Sequence, residues 1–181
     1  MTNRKTRLLS LLLASVMTLA LLSGCSKDTG SSSGNSGKGK DSLVVATMSE
    51  TPSMGPYDHN AVAGDYMNQL VYSSLFETDA DLNPVPELVD TYENTSDTEW
   101  LFHLKQGVKF HDGSDLTSED VVASITYAKT CPEVNLYNRC ILTVEAVDNY
   151  TVKIVTDGPS ATLLYDLCHH ANAILPKKLL D

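Results

Sequence analysis

The sequence predicts an α/β domain in which strands alternate with amphipathic helices, and three observations carry that reading. Leu43–Met48, "LVVATM", is a continuous apolar run with β-branched residues, the pattern of a buried strand. Trp100, Phe102 and Leu104 alternate with Leu101, His103 and Lys105, the period of a strand with one buried face. Val62, Tyr66, Met67, Leu70, Val71 and Leu75 recur at helical spacing, and so do Val121, Val122, Ile125 and Ala128.

Ahead of that domain the chain opens with "MTNRKTRLLSLLLASVMTLALLSGC". Arg4, Lys5 and Arg7 form a cationic start, and Leu8 to Leu22 an uncharged, mostly apolar run. At ~1.5 Å per helical residue this run falls short of a ~30 Å hydrocarbon core, so residues 1–24 read as an export signal rather than a membrane anchor. Leu22, Ser23 and Gly24 before Cys25 resemble the lipobox of bacterial lipoproteins, which implies acylation of the Cys25 thiol and cleavage before it. An ordinary secretory signal followed by a chance cysteine is the alternative. Two acyl chains, at ~0.8 kcal/mol per buried CH₂, suffice for stable anchoring. Residues 25–40, Cys25 followed by "SKDTGSSSGNSGKGK", offer a Ser/Gly-rich tether with nothing apolar to bury. Signal, lipid and tether together place residues 41–181 outside the cytoplasmic membrane.

After the first predicted strand, "SETPSMGPYD" must be loop, given its prolines and glycine. A helix follows from Asn60, a candidate N-cap. "LFETDADLNPVPEL" reads strand, turn, strand, and "VDTYENTSDTEWLFHLK" reads as two strands joined near Ser96 and Asp97. Val108 and Phe110 alternate with Lys109 and His111, predicting a short strand between turns at Gln106-Gly107 and Asp112-Gly113. Thr117 with Asp120 approximates a capping box, and Glu119 suits the positive end of the helix they open. "ILTVEAVDNYTVKIVT" gives two more strands around Asp148-Asn149, and "SATLLYDLCHHA" a helix after Pro159.

Composition and spacing exclude several kinds of chemistry. The formal charge is −10, from 13 basic and 23 acidic residues, and loss of Arg4, Lys5 and Arg7 makes the remainder more acidic still. Nucleic acid is therefore not a partner, because phosphates demand a basic face. Asp79, Asp81 and Asn83 mimic the start of a calcium loop, but the glycine position holds Pro84 and the twelfth holds Asp90, so a polar turn is the reading. His103 and His111 lie on different predicted strands, and adjacent His169 and His170 would diverge by about 100° on a helix. No metal site and no cofactor follow. No nucleophile elbow, metalloprotease helix or phosphate loop is present, so the chain does not read as an enzyme. Cys131 and Cys140 bracket the loop-like "PEVNLYNR"; an oxidising location admits a disulfide between them, and a reducing habitat leaves two thiols. Cys168, in an apolar helical pattern, reads as a packing residue.

The long stretch from Val71 to Ile125 resembles the extracellular solute-binding proteins of family 5, the peptide- and nickel-binding components of ABC importers. Gly107, Val108, Lys109, Phe110, His111, Asp112, Gly113, Leu116, Thr117, Glu119, Asp120, Val121 and Ser124 keep register with the family's "FxLRxGVKFHDGxPLTAEDVxxS". "VEAVDNYTVKI" is similar to its "VEAxDDYTVxx". Asp115 departs from the common proline, and "CPEVNLYNRC" is not a family hallmark. The resemblance implies the N-terminal lobe portion of a type II periplasmic-binding-protein-like clamshell, with mixed sheets and flanking helices. It also implies an incomplete protein, since family members are considerably longer and close two lobes on a ligand. The loop after the first strand lies at the cleft in the family, so Ser49, Glu50, Thr51 and Pro52 are the expected ligand-facing residues.

The function expected from this resemblance is substrate capture for an ABC importer. An oligopeptide or related small solute, the permease subunits and the membrane through its lipid anchor would be the partners. A surface lipoprotein of the same fold, sensing a peptide or adhering, is the alternative. A lipid-anchored hydrolase would need a nucleophile and base that the sequence does not offer.

Overall fold

A computed structural model describes residues 44–180. The expected signal, Cys25 and the tether lie outside the described residues, as does Leu43. The unit from Val45 onward is described by itself. Among the described residues no helix is long and apolar enough to cross a membrane.

The body is a four-stranded sheet in the order β3-β4-β6-β5, from β3 (Val89–Ser96), β4 (Glu99–Leu104), β5 (Ile141–Asp148) and β6 (Thr151–Thr156). Every pairing in it is antiparallel. The predicted hairpins over 89–104 and 141–156 are both present. The alternation of β4 buries Phe102 and Leu104 and leaves Leu101 and His103 half-covered on the other face. Phe102 is wholly enclosed, edge-on to Phe76 at 5.8 Å and flat beside Trp100 at 6.2 Å. On the open face Lys153 pairs with Glu145, directly opposite in register, at 3.2 Å. A two-stranded ribbon, β1 (Phe76–Thr78) with β2 (Pro84–Pro86), matches the predicted strand, turn and strand. At its tip Asp79 accepts the N–H groups of Asp81 and Asn83 at 2.9 and 2.8 Å, and these bonds hold its carboxyl below the usual range. That is the polar turn expected there.

Helix α2 (Ser118–Thr130) covers the core face. Val121, Ile125 and Ala128 point inward, as their spacing predicts, and Val122 is half-buried. Asp120 Oδ2 accepts both the Thr117 backbone N–H, at 2.9 Å, and its hydroxyl, at 2.8 Å, so the approximate capping box is real. The helix start docks on the β5–β6 turn: Ser118 donates its N–H to Asn149 O at 2.9 Å and its hydroxyl to Asp148 O. Its outer side carries the C-terminal strap, where Leu175 N–H donates to Ser124 Oγ at 2.9 Å and Lys177 N–H to Asp120 Oδ1 at 2.8 Å. Helix α3 (Leu163–Asp166) is one turn long and gives way to a 3₁₀ turn at His170–Asn172.

Three sequence expectations need correction. Residues 44–48 are exposed and form no strand, with Val45 68% exposed. An apolar run becomes a strand only against a ladder partner, and no described strand lies beside it. Residues 108–111 form no strand either. Gly107 and Gly113 take left-handed φ of 76° and 86°, and the segment folds as successive turns with a lone bridge between Lys109 and Asp115. The predicted alternation survives within those turns: Val108 and Phe110 pack toward the core while Lys109 and His111 face out. Thirdly, helix α1 (Val62–Asn68) exists, but its burial is inverted. Val62, Tyr66, Leu70 and Val71 are exposed, whereas Gly64 and Asn68 are buried. Asn60 is not its cap; Ala61 holds that position.

Candidate functional site

The expected ligand loop runs into α1, and a polar network holds both. Ser53 donates its hydroxyl to Asp58 Oδ2 at 2.7 Å and accepts the Gly55 N–H at 2.9 Å, so the loop turns on itself. Buried Tyr57 donates to Ala173 O at 2.5 Å, and burial pushes its phenol well above the ordinary range. Tyr72 donates to Met54 O at 3.0 Å. Ser49, Glu50 and Pro52 are exposed, and half-buried Thr51 donates to Ala63 O at 3.3 Å. Of the four, Thr51 touches α1 and the other three stand in solvent. They line none of the larger cavities among the described residues.

Beneath the loop lies a cluster of three histidines. His59 is buried because Gly64 lacks a Cβ: one added there would sit 2.0 Å from His59 Cε1. His59 Nδ1 accepts the Ala61 N–H at 3.2 Å, so the proton of the neutral ring lies on Nε2, and that N–H faces the Asn68 amide at 3.4 Å. The structure sets Asn68 Nδ2 there; turning the amide over brings its oxygen, unpaired as it stands, opposite that N–H as acceptor. His170 Nδ1 lies 2.8 Å from Asp65 Oδ1, and its Nε2 lies 3.3 Å from His59 O. His169 Nδ1 accepts the Ala171 N–H at 3.1 Å, capping the 3₁₀ turn. The Tyr137 ring stacks on His169 at 3.8 Å, and its hydroxyl donates to Asn60 Oδ1 at 3.0 Å. Burial, and then the neighbouring His170, hold the His169 imidazole down at about 4.

The structure corrects the premise on which these histidines were set aside. His169 and His170 do not share an α-helix; His169 caps the 3₁₀ turn that follows α3 and His170 is its first residue, with ring centroids 4.3 Å apart. Asp65, His169 and His170 therefore bring three donor atoms within 4.8 Å of one another. Their hydrogen bonds argue against a metal all the same. Ligation through His169 Nε2 would move a proton to Nδ1, against the Ala171 N–H, and a metal on His170 Nδ1 would displace its bond to Asp65. The sequence reading missed His59, Asp65 and Tyr137. A usable signal was there: Gly64, Asp65 and Asn68 make a polar stripe at i, i+1 and i+4.

Two clefts flank the turns at 105–116. One, about 470 Å³ and largely apolar, is bounded by Pro56, Tyr72, Phe110, Leu116, Ile174 and Leu179. The other, about 740 Å³ and polar, runs past Asp90, His103, Lys105, Asp148 and Thr151. His103 serves the sheet there, with Nδ1 3.2 Å from Thr151 Oγ1, and His111 lies exposed in its turn. Asp112 accepts the Ser114 N–H and hydroxyl and pairs with Lys178; Lys178 and then Ser114 hold its carboxyl far below the usual range.

The disulfide admitted between Cys131 and Cys140 is not formed. Cys131 ends α2, with its thiol turned back to Tyr127 O at 3.5 Å, while Cys140 opens β5 against Ser160. The two pack into different apolar clusters, with the turn at Asn135–Asn138 between them. Cys168 packs against the main core as expected, and burial followed by Glu77 pushes its thiol up to about 11.

Comparison with known proteins agrees with this architecture. Residues 83–180 match the family described as bacterial extracellular solute-binding proteins, family 5 Middle. The glutathione-binding protein GsiB of Salmonella typhimurium is 31% identical over 144 residues, covering 77% of this chain and 28% of that protein. Its counterpart in Pectobacterium atrosepticum is 34% identical over 137 residues, covering 73% and 26%. The solved structure of AgaA from A. tumefaciens R10, in complex with agropinic acid, superposes with a TM-score of 0.66 at 29% identity. It covers 72% of this chain and 27% of its own. AppA of Bacillus subtilis, an oligopeptide-binding protein in complex with a nonapeptide, gives 0.61 at 28% identity, covering 69% and 25%. The chain thus spans little more than a quarter of the length of these relatives.

Proposed function

The chain belongs to the bacterial extracellular solute-binding proteins of family 5, and from that premise we propose that it serves as substrate-capture protein of an ABC importer for oligopeptides or a related small solute. The family match over residues 83–180 carries this reading. Relatives named for glutathione and for oligopeptides support the substrate class. Ser49, Glu50, Thr51 and Pro52 would meet the ligand through backbone groups, as an added strand does. Ser49, Glu50 and Pro52 are exposed, which leaves them accessible to a ligand. Cys25 would carry the lipid that holds the protein outside the cytoplasmic membrane. No catalytic step is assigned, and binding alone accounts for the proposed role.

Uptake by cells lacking the gene tests the function. Loss of labelled di- to pentapeptide uptake, restored by the gene, is the expected result. Unchanged uptake together with loss of a peptide-induced response would replace the importer with a sensor. Labelled palmitate tests the anchor: the parent should carry the label in the membrane fraction and Cys25→Ser should not. An unlabelled, freely soluble parent would remove the lipid from the proposal.

A further inference from the structure

We propose that His59, His169 and His170, with Asp65 as the carboxylate partner of His170, form an acid-released latch that fastens helix α1 to the body of the domain. The inference rests on where a proton would have to go. In neutral His59 the only free lone pair is on Nδ1, and it accepts the Ala61 N–H. In neutral His169 it is again Nδ1, and it accepts the Ala171 N–H. Protonation of either ring therefore replaces an acceptor with a donor and breaks a backbone hydrogen bond. Only His170 has an acceptor on both sides, Asp65 Oδ1 and His59 O, and can hold a proton on each nitrogen without losing a bond.

Charge acts in the same direction as hydrogen bonding. The rings of His59 and His170 lie 5.4 Å apart, and those of His169 and His170 lie 4.3 Å apart. A second proton in the cluster puts two cations at that separation, with little water between them to screen the repulsion. The groups facing the cluster offer scant relief. From α1 comes Asp65, already bonded to His170. From the 3₁₀ turn at 135–138 comes the neutral Tyr137. Glu77, Glu87 and Cys168 share a cavity with His170, but Glu87 is held by the Ser74 N–H at 2.8 Å and Cys168 donates to Leu164 O at 3.1 Å. From α3, Asp166 turns its carboxyl to Thr162. The depressed His169 titration agrees with a folded state that resists this proton.

Release would be local because, among the described residues, the buried contacts of α1 are few. Its buried face is Gly64 and Asn68, and its apolar residues face solvent. Opening it exposes little new apolar surface, so the sheet and its core need not open with it.

Amide hydrogen exchange on the full 181-residue chain, followed from about pH 7 to about pH 4 and corrected for the intrinsic rate, tests the latch. Protection at 62–68 should fall roughly tenfold or more while β4 and β6 stay protected. The double variant His59→Asn, His169→Asn supplies amide oxygens for the Ala61 and Ala171 N–H groups but takes up no proton, so it should keep α1 closed across the range. A parent whose α1 stays protected to pH 4, or a double variant that releases α1 as the parent does, overturns the proposal. Should the double variant lose sheet protection at neutral pH, nitrogen spectra of the parent decide. His169 Nδ1 must gain its proton together with the loss of α1 protection, and protonation without that loss also overturns it.

Discussion

The sheet body and the α1 region are held by opposite chemistry. In the body, Phe76, Phe102, Val152 and Ile154 are wholly enclosed in a core built from apolar side chains. In the α1 region His59, Asn68 and His170 are enclosed, and Leu70, 79% exposed, stands at the solvent edge with Val62 and Tyr66. Apolar burial is non-directional and tolerates small shifts, whereas a buried hydrogen-bonded cluster holds only while every donor meets an acceptor. The body is therefore a robust platform, and the α1 region is a sensitive attachment to it.

Substitutions of rising mildness sharpen that contrast. Phe102→Ala should cost most, about 3–5 kcal/mol, because it leaves a cavity among Phe76, Trp100 and Leu104. Chemical denaturation should show the whole domain losing that stability together, and a loss confined to part of the chain would break the distinction. Gly64→Ala comes next. Helix propensity alone favours it by up to about 1 kcal/mol, but the new Cβ meets the His59 ring at 2.0 Å. A net loss of about 1–3 kcal/mol is expected, seen as faster amide exchange at 62–68 with the sheet unchanged. A stabilised helix would mean that His59 does not pack there.

Acid gives the third contrast. His169 is held at about 4 in the folded chain, below the ordinary histidine value of roughly 6.5. The unfolded state therefore binds the proton first. The stability this group contributes is complete above about pH 6.5, falls as pH drops, and has gone by about pH 4. Discounted for partial exposure, the slope is worth about 1 kcal/mol and should vanish in His169→Asn. An unchanged slope in that variant would assign the acid response to another group. The mildest change is Leu70→Ser, expected to alter stability by less than about 0.5 kcal/mol because the side chain is in water already. A larger loss in thermal melts would show that something covers this face in solution.

Elements whose cause is local were legible from residues alone. Both hairpins of the sheet, the Asp79 turn, the alternation of Trp100, Phe102 and Leu104, and the Thr117–Asp120 helix start all depend on neighbours a few positions apart. What lay beyond the sequence needed partners far along the chain. Leu43–Met48 has the composition of a strand, but composition cannot supply an edge to pair with. The spacing of Val62, Tyr66 and Leu70 marked a helix, yet which side it buries was decided by His59 filling the space over Gly64 and by His170, 105 positions from Asp65. The pair His169 and His170 looked divergent because a helix was assumed; the break after α3 brings the rings together. Cys131 and Cys140, close in sequence, are drawn into separate cores by the helix end and the strand start that carry them. The sequence by itself determined the family resemblance, the two hairpins of the sheet and the Thr117 cap; hairpins and caps were legible because propensity and turn chemistry act over a few residues. Only the tertiary structure decided the histidine cluster and the inverted helix, because burial and hydrogen-bond pairing depend on what the folded chain brings into contact.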